Sequence, residues 1–321
     1  GNQAIGNYQS LLTLGPGGSA TLGGLSVVGV QPIRMPNPDL KWERSEQFNI
    51  GLDMGILNGR INTTLDYFIK NTNDLLFDFP VPASSGYTSI TRNIGSVRNS
   101  GYELSLNFKN QFSRSKNIFI DIGLNLAVIE NEVIDLGGIP EIITGTLPFT
   151  QQITIIKPGY AINSYYGYNF TGIFQEGDDI VNSPTPSAQP GHPIIKDVNE
   201  DGSISGADRA PIGDPYPDFT AGLNGTFSLW NFEISFYLQG EYGAEILNQN
   251  MVESLYPIET RRNRYAEPLQ NRWTPENPST KWPSLVNPSA YAGGVVNNLT
   301  VEDASFTRLQ SVQLAYNVPV K

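Results

Sequence analysis

Apolar and polar residues alternate along most of this chain. In 61–70 the odd positions Ile61, Thr63, Leu65, Tyr67 and Ile69 oppose Asn62, Thr64, Asp66 and Lys70. In 102–108, Tyr102, Leu104, Leu106 and Phe108 alternate with Glu103, Ser105 and Asn107. Ile118, Ile120, Ile122, Leu124 and Leu126 share one face, and so do Phe232, Ile234, Phe236 and Leu238. A strand turns successive side chains to opposite faces, so each segment has one greasy and one polar side. No stretch shows comparable helical spacing.

The pattern predicts nine strands, at 46–57, 60–77, 91–112, 117–135, 151–156, 161–174, 218–229, 232–243 and 305–318. Asn58-Gly59 is a strong hairpin turn, since both residues tolerate positive φ. Ser113 to Lys116, Lys157-Pro158-Gly159 and Trp230-Asn231 are also short connections. Between them lie long ones, at 78–90, 136–150, 175–217 and 244–304. Short and long alternate without a break. In an antiparallel sheet that puts every tight turn at one end and every long loop at the other, the asymmetry of an outer-membrane β-barrel. The strands also exceed the five or six residues usual in soluble sheets. The expected fold class is an all-β antiparallel transmembrane barrel. Its apolar face meets outer-membrane lipid and its polar face a watery lumen. Nine strands leave open edges that lipid does not tolerate, so 1–321 reads as a partial barrel completed by other chain.

Composition narrows the chemistry. Lys+Arg 20 against Asp+Glu 31 gives a net charge of -11, the wrong sign for a nucleic-acid partner. Cysteine is absent, which removes disulfides, thiolate metal sites and a cysteine nucleophile. The single histidine, His192, argues against a histidine triad and reads as an exposed turn residue. Glu176, Asp178 and Asp179 read as a solvated charge cluster and not as a glycosidase pair. No catalytic residue is assigned.

The sharpest local motif is Asp197 to Asp208, DVNEDGSISGAD. Asp197, Asn199 and Asp201 stand at positions 1, 3 and 5 of a calcium loop, with Gly202 at the turn. Ser203 would offer its carbonyl, and Asp208 falls at position 12, where an EF-hand normally has Glu. Oxygen ligands in alternate positions wrap a hard cation, so a structural Ca2+ is expected at Asp197, Asn199, Asp201, Ser203 and Asp208. Tyr165, Tyr166, Tyr168 and Phe170 read as part of an interfacial aromatic girdle, as does Trp230. Trp273, Trp282, Tyr256 and Tyr291 sit in the longest loop as candidates for ligand or partner contact. Arg261, Arg262 and Arg264 read as a solvated basic run.

Several phrases resemble the C-terminal barrel region of SusC/RagA-like TonB-dependent outer-membrane transporters of Bacteroidetes-type bacteria. They are Asn37 to Glu43 (NPDLKWE), Phe48 to Asp53 (FNIGLD), Asp66 to Leu76 (DYFIKNTNDLL) and Asn93 to Glu103 (NIGSVRNSGYE). The calcium-like segment running on to Gly213, Arg272 to Pro278 (RWTPENP), Phe306 to Leu309 and Tyr316 to Pro319 complete the set. The resemblance implies a plugged barrel of about 22 strands. It implies a SusD-like surface lipoprotein as lid, a TonB complex acting through a segment N-terminal to the plug, and a large nutrient ligand, oligosaccharide or peptide. No plug or TonB box is visible, and the final NVPVK lacks the terminal aromatic expected of a last barrel strand. The chain is therefore expected to be a piece lacking both ends.

Two rival classes use the same residues: a secreted calcium-binding, β-rich carbohydrate-active enzyme, and a surface adhesin. The first calls for a soluble monomer with a packed sandwich, the second for calcium-stiffened loops on an interaction protein, and neither explains the alternation of short and long connections.

Overall fold

The structure is a computed structural model that describes residues 10–87, 89–147, 150–254, 263, 265–285 and 296–319. Its frame is one sheet of seven strands: β1 (Arg44–Ile56), β2 (Ile61–Asn73), β3 (Ser96–Ser113), β4 (Ile118–Asp135), β5 (Phe219–Leu229), β6 (Phe232–Tyr242) and β7 (Phe306–Tyr316). Spatial order follows chain order, and every neighbouring pair is antiparallel. The sheet is an up-and-down meander, the wall of a barrel that this chain alone does not close.

Register explains the two faces. Met54, Thr63, Leu106, Leu124, Leu223, Leu238 and Leu309 are partners across all seven strands. The row beside it is Ile56, Ile61, Phe108, Ile122, Gly225, Phe236 and Val312. The opposite face carries Asp53, Thr64, Ser105, Asn125, Gly222, Gln239 and Arg308. Its polar groups pair with one another: Thr64 Oγ1 donates to Asp53 Oδ1 at 2.6 Å, and Lys109 Nζ lies 3.2 Å from Asp121 Oδ2.

Magnitude decides which solvent the apolar face meets. Phe48, Ile50, Leu52, Leu65, Leu223, Ile234, Leu309, Val312 and Leu314 all stand on it exposed, Leu314 to 73%. Each large apolar side chain left in water forgoes about 1.5–3 kcal/mol. Together that rivals the ~5–15 kcal/mol by which a whole domain is stable. Lipid removes the cost. Among the described residues no helix is long and apolar enough to cross a membrane, which leaves crossing to the strands.

The predicted parity holds for the wall, but Lys157-Pro158-Gly159, expected among the tight turns, lies instead in the excursion after β4, where Gly159 and Tyr160 bond Val133. β1–β2 turn through Leu57, Asn58 and Gly59, all at positive φ, and β5–β6 turn at Trp230 with φ 55°. These turns and 114–117 share one end of the sheet. The neighbouring turns are tied together: Asn117 Nδ2 donates to the Trp230 carbonyl at 3.0 Å, and Asn231 Nδ2 to the Asn317 carbonyl at 2.9 Å. The segments 74–95, 136–218 and 243–305 lie at the other end.

Two expectations need correction. The strands predicted near 151–156 and 161–174 do not join the wall. Thr150–Ile156 and Ser164–Gly167 belong to a separate four-stranded sheet with Ile142–Leu147 and Ala210–Gly213, inside one excursion that runs from β4 to β5. The wall sheet thus has seven strands and not nine, and three outer excursions and not four. Period-two alternation marks a strand but not the sheet that receives it. Conversely, Thr13–Leu22 and Leu25–Arg34 form a hairpin around Gly23-Gly24 that the pattern did not suggest. The glycine and proline in 15–18 interrupt the alternation there.

Packed core is found in the excursions. Ile94, Val97, Val133, Leu136, Ile142 and Ile156 form one cluster at the outer ends of β3 and β4. Phe170, Met251 and Trp282 form another.

Candidate functional site

The excursions after β4 and β6 are knitted into one outer lobe. Asn298 reads the main chain of Phe170 as a strand would: Phe170 N donates to its Oδ1 and its Nδ2 donates to the Phe170 carbonyl, both at 2.9 Å. Tyr168 N donates to the Val296 carbonyl at 3.0 Å, and Ser284 N to the Gly191 carbonyl at 2.8 Å. Trp273 Nε1 donates to Gln175 Oε1 at 2.9 Å, and Gln175 Nε2 reaches the Ser279 carbonyl at 3.1 Å. Gly191, at φ 91°, packs so close to the Trp273 ring and Ser284 that a Cβ there has no room.

This lobe revises several sequence expectations. His192 is buried at 3% exposure, not exposed. Its Nδ1 accepts from Gln189 N at 3.3 Å, and burial pushes its pKa down. Trp273 and Trp282, expected at a ligand or partner surface, are buried inside the lobe. Tyr166 and Phe170 are buried in the lobe too and are not girdle residues. Trp230 is exposed at its turn, as a girdle residue should be. Glu176, Asp178 and Asp179 are solvated; Asp178 Oδ2 accepts from Gln175 N at 2.8 Å and helps the turn. Tyr256, Tyr291 and Arg261, Arg262 and Arg264 lie outside the described residues.

The acidic loop connects Pro193–Ile195 to Ala210–Gly213 within this lobe. All five predicted ligands stand on it. Gly202, at φ 82°, makes the sharp turn and donates its N–H to Asp197 Oδ2 at 2.8 Å. Asn199 Oδ1 accepts from Asp201 N at 3.1 Å and its Nδ2 donates to Asp201 Oδ2 at 2.9 Å. Asp201 Oδ1 accepts both the N–H and the hydroxyl of Ser203 at 2.9 Å. Those donors and Asn199 hold the Asp201 carboxyl below its usual range.

Asp208 is fully buried, closing a single turn whose cap is Ser205. Burial alone would raise its pKa. The N–H groups of Ser205 at 2.7 Å and Val198 at 3.0 Å, with Asn199 N beside them, outweigh that and hold it low. Asp208 is therefore a buried carboxylate that stays charged.

The donor set suits a hard cation in kind: oxygen only, in alternate positions. Asp197 Oδ1 is buried with no hydrogen-bond partner, an atom that a cation would satisfy. In the arrangement described, Asp201 is turned to its own loop, and no three carboxylates among the described residues converge as a ready metal cluster.

The sequence reading missed the residue that follows the loop. The Arg209 guanidinium lies 4.2 Å over the Tyr166 ring, donates to the Tyr166 carbonyl at 3.1 Å and also reaches the Gln152 carbonyl. It clamps the acidic loop onto the four-stranded sheet. Its partners lie 43 and 57 residues away, so only the alternation near 151–166 hinted at them.

Comparison with known proteins agrees with this architecture. The family described as TonB dependent receptor-like, beta-barrel matches residues 3–319. TonB-dependent receptor P26 of Formosa agariphila is 35% identical over 323 residues, covering 100% of this chain and 32% of that protein. TonB-dependent receptor SusC of Bacteroides thetaiotaomicron is 27% identical over 292 residues, covering 88% of this chain and 26% of that protein. The solved structure of the RagAB peptide transporter superposes with a TM-score of 0.74 at 26% identity, covering 98% of this chain and 33% of that one. The chain thus spans about a third of the length of such relatives. These matches and the up-and-down wall lend no support to the secreted enzyme or the adhesin. The chain belongs to the TonB-dependent receptor β-barrel family of the outer membrane and is SusC/RagA-like within it.

Proposed function

We propose that this chain supplies wall strands and outer lobe to a TonB-dependent importer of large nutrients, oligosaccharides or peptides. The observation that carries the reading is the division of the wall's two ends. Tight turns bound one end, and two long excursions join into a single lobe at the other. Such a lobe at one end of the wall suits a surface that receives cargo and a lid, and the solved relative is a peptide transporter. The lid is a SusD-like lipoprotein, and the TonB complex acts through chain N-terminal to this wall. The polar face, with Asp66, Glu103 and Glu241 around a recess of about 390 Å³, lines the path of the cargo.

Calcium is the structural ion of this reading. Asp197, Asn199, Asp201, the Ser203 carbonyl and Asp208 would hold it, and it would fix the loop that Arg209 clamps. It supplies rigidity and no chemistry.

The test is native mass spectrometry of the full-length protein, purified in detergent from its own membrane, with and without a calcium chelator. The expected result is a complex carrying a second lipoprotein. A protein that is soluble without detergent, alone and monomeric, would sink the importer reading.

A further inference from the structure

One length of strand edge in the wall has no neighbour. β4 pairs with β5 only as far as Ala127 opposite Thr220. Farther along, Val133 exchanges main-chain bonds with Tyr160 and Gly159, both at 2.8 Å. Main-chain groups alternate sides along a strand, so Ile129 and Asn131 face the same way as Ala127 and Val133. Among the described residues neither has a main-chain partner on that side. The cause is in the sequence. β5 is entered through Asp214-Pro-Tyr-Pro-Asp218, and Pro215 and Pro217 have no N–H to extend the ladder.

The gap is a slot of about 760 Å³. Five consecutive residues of β4, Val128 to Glu132, line it. The same stretch of β4 is the one left unpaired, and Pro217 and Asp218 at the entry to β5 line the slot with it. The slot is also of one charge. Glu130, Glu132, Asp214, Asp218 and Glu245 line it, and no Lys, Arg or His does. Two of these carboxylates already have structural work: Glu245 Oε2 accepts from Asp214 N at 2.8 Å, and Asp214 Oδ1 from Tyr216 N at 2.9 Å.

We propose that this slot binds an extended peptide carrying basic side chains, which adds a short strand to the β4 edge. The reading rests on the importer proposal and names its substrate class. Main-chain bonds to Ile129 and Asn131 give affinity without sequence preference, and the carboxylates select Lys and Arg. At about 3.4 Å per residue, Val128 to Glu132 accommodates roughly five residues of peptide. Tyr160 and Tyr216, also on the slot, offer rings to the stems and charges of those side chains.

The experiment uses the full-length protein in detergent and three probes: a Thr-Lys alternating hexapeptide, the same peptide N-methylated at alternate amides, and maltohexaose. The expected result is binding of the first probe. Methylation in the register that faces β4, and separately the pair Glu130→Gln and Glu132→Gln, should each weaken it about tenfold or more. Ile129→Pro should do the same, and the methylated peptide keeps the test sound if that variant fails to fold. Equal binding of both peptides, indifference to the glutamine pair, or binding of maltohexaose that the same variants abolish would each overturn the proposal. Loss of the slot's binding with the lipoprotein still attached refutes this inference alone. Absence of the lipoprotein and of detergent dependence refutes the importer reading itself.

Discussion

Trp273 and Gln175 meet across 98 residues of chain, the indole N–H donating to the side-chain carbonyl at 2.9 Å. The excursions after β4 and β6 are fastened at this point. Gln175 also reaches Ser279, and Trp273 N bonds the Trp282 carbonyl, so one contact holds a buried corner of the lobe.

Breaking that corner should loosen the lobe and spare the wall. Trp273→Ala removes a buried ring and is expected to cost about 3–5 kcal/mol. Gln175→Leu leaves the indole N–H unpaired, at about 1–3 kcal/mol. Hydrogen exchange of 170–195 should rise in both variants while exchange in Ser96–Ser113 stays slow. Equal acceleration in both regions would mean that the lobe and wall unfold together.

The wall itself has a point of close approach. A Cβ at Gly101 has no room against the Val128 carbonyl oxygen of the paired strand. Gly101→Val should therefore block the β3–β4 ladder and reduce the folded fraction. The readout is the shift between heated and unheated samples on a denaturing gel, which barrel proteins show when folded.

Faces are testable by a matched pair of substitutions. Leu106 lies in the apolar row and Asn107 on the polar face. Leu106→Lys should cost up to about 2–4 kcal/mol in lipid, and Asn107→Lys far less. Refolding into bilayers in a urea series measures both, and similar costs would refute the assignment of the faces.

Calcium at the acidic loop predicts a metal-dependent melting temperature. Chelation should lower it in the parent protein. Asp208→Asn, which also weakens the Ser205 and Val198 bonds, and the milder Asp197→Asn should abolish the calcium response. A parent protein indifferent to chelator, with no calcium bound in equilibrium dialysis, would remove the ion from the account.

His192 gives the lobe a pH dependence. Burial lowers its folded pKa, so above its ordinary value of about 6.5 it is neutral whether folded or not. As pH falls below that value the unfolded chain takes up a proton that the folded lobe resists. Stability is therefore lost from about pH 6.5 down to the lowered folded pKa, and constant beneath it. His192→Gln should flatten this dependence between pH 7 and 5, read as exchange in 170–195.

What was legible in advance follows from local physics. Alternation marks strands because backbone geometry alternates side chains, whatever the strand pairs with. Asn58-Gly59 marks a hairpin because both residues accept positive φ, and both do so here. From these came the antiparallel wall and its two unlike ends. What stayed hidden depends on distance along the chain. Alternation at 151–156 and 164–167 is genuine, yet which sheet takes those strands is decided by Tyr160 and Gly159 meeting Val133.

His192 looked exposed because glycine and proline surround it. It is buried because the other excursion, through Trp273 and Ser284, packs over Gly191. The local rules of φ, alternation and hydrogen-bonding chemistry thus let the sequence determine the elements and the solvent that each face meets. Pairings between segments 40 to 130 residues apart have no local signature. They determined which strands form the wall, which aromatics are core, and where an edge is left open.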